Sequence, residues 1–182
     1  MKDFNWLSGG PYFEVSILTS NQKSRECLIN SCIQKLDTLQ NKVELVEHRL
    51  DIEEQINLFV EQNSDSIDLN IWVTLAGKRR ARFFVAELSD EITLINFWFL
   101  GDEFSRQPIT NKEQPKFKKF LDEILCVYDG FVGTLGWEED CSCLFETENT
   151  YPHKDYSIKK LKLNERMPTG IEEIVIKTEK IE

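Results

Sequence analysis

Two short acidic runs carry the residue types and spacing that could do chemistry in this chain. Asp102 and Glu103 follow one apolar run, and Glu138, Glu139 and Asp140 follow another. If the two run ends are neighbours, the carboxylates converge, and a converged cluster has three uses. It holds a divalent cation through oxygen ligands, it supplies an acid and a base, or it meets Lys and Arg of a protein partner. The bland alternative is a pair of solvated loops, since charge runs usually face water. Trp98, Phe104 and Trp137 lie beside the acids. Aromatic residues are enriched at binding hot spots, which tilts the choice toward the partner. Trp98 and Trp137 would serve equally well in a core.

Other chemistries find less support. Cys141-Ser142-Cys143 has no second cysteine pair, and His153 lies well beyond it. Structural zinc wants four ligands in a CxxC or HxxxH rhythm. The expected state is a partly buried thiol pair, redox-sensitive if exposed, with no metal and no cofactor. The histidines are His48 and His153, and no GxSxG, GxGxxG or P-loop motif occurs. A Cys–His nucleophile built from Cys141 and His153 therefore has no spacing to recommend it. Lys78 to Arg82 is the one dense basic spot; it falls on an expected hairpin tip, where solvent is the default neighbour.

Charge narrows the partners. The chain has 182 residues and a formal net charge of −10. Val43 to Asp68 holds eight acids against Arg49 alone, and Phe131 to His153 holds acids and no Lys or Arg. Phosphate binding is driven by Lys and Arg, so nucleic acid is not an expected partner. A basic protein is, because the field steers its encounter. Solubility alone is the competing explanation. With 41% apolar and 30% charged residues the composition is globular. One domain over 1–182, with a short N-terminal arm and a polar tail, suits this length. No apolar run reaches the length of a membrane span and the start carries no signal-peptide pattern, so a cytoplasmic protein is expected. In that reducing setting Cys27, Cys32 and Cys126 read as small buried residues of helices.

The elements that must position the acids are legible by period. Ile67, Leu69, Ile71, Val73 and Leu75 alternate with polar neighbours, which marks a strand. Gly77-Lys78 is a turn. Arg79 to Leu88 alternates again, Ser89-Asp90 breaks it, and Ile92 to Leu100 is apolar on both faces. That last run suits a central strand covered on each side, and its β-branched and aromatic content favours strand over buried helix. Before this meander come a strand over Tyr12 to Leu18 and a helix from Thr19 to Leu39, with Thr19 as N-cap and Gln22 three residues on. A short strand over Val43 to His48 and a helix capped by Asp51 follow. After it come a helix opening near Pro115 and closed by Gly130 as a left-handed cap, then a strand over Phe131 to Trp137. Gly133 and Gly136 there mark a bulge or a close backbone approach. A turn of helix near Cys143 to Phe145, a short helix capped by Ser157 and a strand over Ile171 to Ile176 complete the chain. The expected fold class is α+β: a mixed, mainly antiparallel sheet with a central three-strand meander at about 67–100 and helices packed on it.

The C-terminal half resembles immunity proteins of bacterial toxin systems. The residues that carry the resemblance are Trp98-Phe99-Leu100-Gly101-Asp102-Glu103, the helix from Lys116 to Tyr128, Val132 to Asp140, Tyr151-Pro152 and Tyr156-Ser157. Such families are small, acidic, cytosolic α+β proteins without catalytic residues. The resemblance implies tight binding to a cognate toxin domain, often a basic nuclease, and assigns no functional residues. The expected interface is Asp102, Glu103, Glu138, Glu139 and Asp140 with Trp98 or Trp137 as anchor. The alternatives are a divalent-metal-dependent enzyme using the same carboxylates, and a structural or regulatory subunit.

Overall fold

The computed structural model describes residues 12–21, 24–75, 77–101, 113–145, 157–161 and 169–177. Its strands are β1 (Phe13–Ser20), β2 (Val43–Leu45), β3 (Ser66–Thr74), β4 (Lys78–Glu87), β5 (Ile92–Phe99), β6 (Val132–Trp137) and β7 (Ile171–Ile176). Its helices are α1 (Arg25–Thr38), α2 (Arg49–Val60) and α3 (Gln114–Val127), and single helical turns form at Cys141–Leu144 and Ile158–Lys160. The seven strands make one sheet in the order β2-β3-β4-β5-β1-β6-β7. The fold is α+β, and every pairing described is antiparallel.

The meander forms as its period dictates. Gly77 turns β3 into β4 at φ 100°, a conformation that costs glycine little. β5 lies at the middle of the sheet and is buried along both faces except at Trp98. β1 enters between β5 and β6, so its two faces are also covered. Phe13, Val15 and Ile17 join Leu69, Phe83 and Phe97 under the three helices. α3 supplies Phe117, Phe120, Leu121, Ile124 and Leu125 to this core. The Phe120 ring meets Phe97 edge-on at 5.1 Å, and Phe117 meets Phe13 at 5.5 Å. On the opposite face Leu18, Leu94 and Val132 pack against Cys141, Leu144 and Phe145 in a smaller cluster.

Several helix boundaries differ from the expectation. β1 continues through Thr19, which pairs with Thr93, and its hydroxyl donates to Tyr128 O at 3.2 Å. Sheet pairing over the length of β1 outcompetes a local cap. α1 therefore starts at Arg25, with Ser24 Oγ accepting from Cys27 N. α2, in contrast, begins three residues early: His48 precedes it without a side-chain bond, and Asp51 lies in the first turn, where its charge suits the helix dipole. β2 stops at Leu45. Ser157 precedes its helical turn without a side-chain bond. After α3 the left-handed residue is Asp129, at φ 58°, not Gly130. Gly130 is needed for closeness: a Cβ there would lie 2.9 Å from Leu125 Cδ2 and 3.3 Å from Leu18 O. Cys32 is buried, whereas Cys27 and Cys126 sit on the outer faces of their helices.

No helix among the described residues is long and apolar enough to cross a membrane. The expected packing of Phe4, Trp6 and Leu7, and the positions of Asp102, Glu103, Phe104 and His153, lie outside the described residues.

Candidate functional site

The sheet face turned away from the helices carries the polar residues. Strand register aligns Asn70, Arg82, Trp98, Glu14 and Gly136 in one row across it. The next row holds Asp68, Phe84, Asn96, Ser16, Thr134 and Ile174. A period-two strand puts Glu14 and Ser16 on the face opposite Phe13 and Val15, so a mostly apolar strand presents a carboxyl in mid-sheet.

The chain leaving β6 then folds back over this face. Trp137 N donates to Gly170 O at 2.8 Å, and Glu138, at φ 56°, donates its N–H to Tyr12 O at 2.8 Å. The fold-back requires glycine at 136, where a Cβ would lie 2.9 Å from both Glu139 O and Gly170 O. The expected bulge is there: the β6–β7 register shifts between Leu135 and Gly136. A buried tie holds the returning segment down. Cys141 N donates to Ser16 Oγ at 2.9 Å, and Ser16 Oγ lies 2.8 Å from Thr134 Oγ1. Asp140 accepts from Ser142 N at 2.7 Å, which caps the helical turn at Cys141–Leu144.

The result is an acidic cluster built on Glu14. Glu14 is 7% exposed, and wholly buried Asn96 donates its side-chain N–H to the Glu14 carboxyl. Burial, followed by the charge of Asp140, pushes the Glu14 carboxyl up to about 7; the Asn96 amide opposes the rise and Glu139 adds to it. Burial also raises Asp140, against the Ser142 and Asn96 hydrogen bonds. Glu139 is raised by burial and then by Asp140. Among the described residues, no Lys or Arg figures among the main influences on any of the three. Asn96 Oδ1 and Trp98 Nε1 are buried without a hydrogen-bond partner. The Trp98 indole N–H leans on the Glu14 carboxyl without reaching hydrogen-bond geometry.

Trp98 is half-buried and held by rings: it stacks on Phe84 at 4.9 Å and 17°, with Tyr12 at 5.9 Å. Farther along the row, Arg82 Nη2 pairs with Asp68 Oδ2 at 2.6 Å, and Asn70 Nδ2 donates to Glu47 at 2.6 Å. The basic spot is likewise engaged: Lys78 Nζ lies 2.7 Å from Glu44 Oε2 and 5.1 Å from the centre of the Trp72 ring.

Of the expected site residues, Glu139 and Asp140 come together with Glu14, and Trp98 borders them. Glu138 is exposed on the turn. Trp137 pairs with Phe13 on the helix side of the sheet, where its ring meets Phe13 at 5.0 Å and its indole donates to Glu172 at 3.0 Å. The two tryptophans therefore lie on opposite faces. Glu14 and Asn96 were the residues missed. The available signal was a polar side chain inside an apolar strand, once in FEVSIL and once in ITLINFWF.

Among the described residues no group of three or more His, Cys, Asp or Glu has the arrangement to hold a metal ion. Burial drives the Cys141 thiol up to about 12, and burial with Glu139 and Asp140 drives Cys143 up as well, so neither is an activated nucleophile. What the cluster offers is carboxyl oxygens, the unpaired Asn96 amide oxygen and the unpaired Trp98 indole N–H, beside an aromatic stack. No protein-family model, no curated protein and no solved structure matches the chain.

Proposed function

We propose that the chain is a non-enzymatic acidic binding protein that captures a basic protein partner in the cytoplasm, in the manner of an immunity protein neutralising a cognate toxin domain. One observation carries the reading: Glu14, Glu139 and Asp140 gather on one sheet face with no described cation beside them. Acids left uncompensated in a folded chain repel one another and gain by meeting a partner's Lys and Arg. The net charge of −10 supports the same reading through faster encounter with a basic surface. A nuclease fits as the target, because its active-site surface must be basic to bind phosphate.

The test is capture from the native cell lysate by the full chain, at low and then moderate salt, read by mass spectrometry. One basic protein, retained by the wild type and lost with the Glu138→Lys/Glu139→Lys double variant, is the expected result. Neither substitution touches the Asp140 cap, and a thermal melt checks that the double variant is folded. Equal capture by wild type and variant, or no basic protein captured at all, overturns the reading.

A further inference from the structure

α2 carries two apolar residues that its own packing does not use. Ile52, Ile56, Phe59 and Val60 turn inward to the core, and Phe59 is wholly buried. Leu50 and Leu58 lie off that stripe and are 76% and 46% exposed. Neither α1 nor α3 has an exposed large apolar residue among the described residues. A four-residue step carries a helix about 40° past a full turn, so Leu50, Glu54 and Leu58 form one outward ridge about 12 Å long. Asp51 and Glu61 are exposed on the same side. The one base of α2, Arg49, pairs with Glu53. Asp51, Glu54 and Glu61 have no ion-pair partner among the described residues. The ridge is also held in place: Gln55 Oε1 accepts from Asp68 N at 3.3 Å, and Phe59 O accepts from Arg25 Nη1 at 3.1 Å.

Charge and spacing choose the occupant. Leucines this exposed are stabilised by leaving water. The acids around them favour a surface that sets Lys or Arg beside its own apolar side chains. The ridge length matches apolar residues about seven or eight positions apart on one face of an incoming helix, which lays that face along a partner. A second copy of this chain fits badly: a two-fold contact presents the same patch from both sides, and Glu54 and Glu61 would meet their own kind. We infer that the outer face of α2 is a docking surface for a basic amphipathic helix of another protein, with Leu50 and Leu58 as the apolar contacts and Asp51, Glu54 and Glu61 as the charged ones. This face lies on the helix side of the sheet, opposite the Glu14 cluster, so it stands independently of the function proposed above.

The experiment titrates the isotope-labelled full chain with a synthetic leucine–lysine peptide of about 18 residues, patterned as an amphipathic helix. A leucine–glutamate peptide and a serine–lysine peptide of the same pattern are the controls. Proton–nitrogen correlation spectra follow the backbone amide signals of α2. The expected result is saturable movement of those signals with the leucine–lysine peptide, and binding at least about tenfold weaker for either control. Leu50→Ser/Leu58→Ser should weaken the binding at least about tenfold. Glu54→Lys/Glu61→Lys should weaken it similarly. All four side chains are exposed, and thermal melts check that both variants are folded. Movement centred away from α2, or wild-type binding by the folded leucine variant, reduces the contact to general attraction by an acidic chain and overturns the docking surface. Equal binding of the leucine–glutamate peptide overturns the basic occupant. Self-association of the free chain in light scattering, abolished by Leu50→Ser/Leu58→Ser, assigns the face to a second copy and overturns the proposal as well.

Discussion

Glu14 gives the fold a pH-dependent contribution. An acid raised by burial binds its proton more tightly folded than unfolded, so its stabilising contribution is greatest below the unfolded value and declines as pH rises through the folded one. For Glu14 that window runs from 4.5 to about 7, with Asp140 and Glu139 facing it from the turn after β6 and Asn96 and Trp98 from β5. The loss across the window is of the order of 3 kcal/mol. Glu14→Gln keeps the shape and removes the charge, so the variant should out-stabilise the wild type at neutral pH and lose that advantage near pH 4.5. Paired urea melts across that range check it; a constant difference would show that Glu14 does not titrate there. The cysteines give a second residue-scale prediction. A thiol reagent should label exposed Cys27 and Cys126 in the native protein and reach buried Cys32 and Cys141 only on unfolding. Protection of Cys126, or rapid labelling of Cys141, would contradict the placement of α3 or of the tie to Ser16.

At the scale of elements, two glycines on one strand separate stability from site geometry. A Cβ at Gly133 would press on Leu121 Cδ1 at 2.7 Å and Leu125 Cδ1 at 3.1 Å, which are ends of flexible side chains under α3. A Cβ at Gly136 would press at 2.9 Å on the backbone oxygens of Glu139 and Gly170. Each change to alanine overpacks, at a cost of about 1–3 kcal/mol. Only Gly136→Ala should also weaken partner capture, because it lifts the turn that holds Asp140 beside Glu14. Melting curves and capture on the same two variants decide this; parallel losses of capture would dissociate the turn from the site. The glycines themselves were legible as positions of close approach. Their neighbours were not, because α3 and the Thr169–Gly170 turn reach β6 only through tertiary packing.

Across the whole molecule, Arg25 at the start of α1 ties distant parts of the chain together. Its guanidinium donates to Phe59 O at 3.1 Å and Ser64 O at 2.9 Å, and pairs with Asp65 at 3.2 Å and Glu87 at 2.5 Å. It also lies 5.1 Å over the Phe59 ring. Arg25→Met strands a largely desolvated acid and two carbonyls, so a loss of about 3 kcal/mol is expected in chemical denaturation. Arg25→Lys should recover little, since a single ammonium cannot reach all four groups. Full recovery with lysine would reduce the tie to a simple charge pair.

Local chemistry alone determined the meander, the wide apolar face of α3, the glycine-marked bend of β6 and the acidic sign of the surface. Those features depend on side-chain period and on the intrinsic limits of glycine and proline, which act within a few residues. Strand order was decided only in three dimensions. The insertion of β1 between β5 and β6 joins residues separated by most of the chain, and no local period encodes such a pairing. It is that insertion which turned Glu14 from an ordinary strand residue into a buried carboxyl beside Asn96 and Asp140. Thr19 shows the same physics in miniature: its cap-like sequence yielded to sheet pairing, because each residue added to a central strand gains two covered faces while a cap satisfies one or two N–H groups.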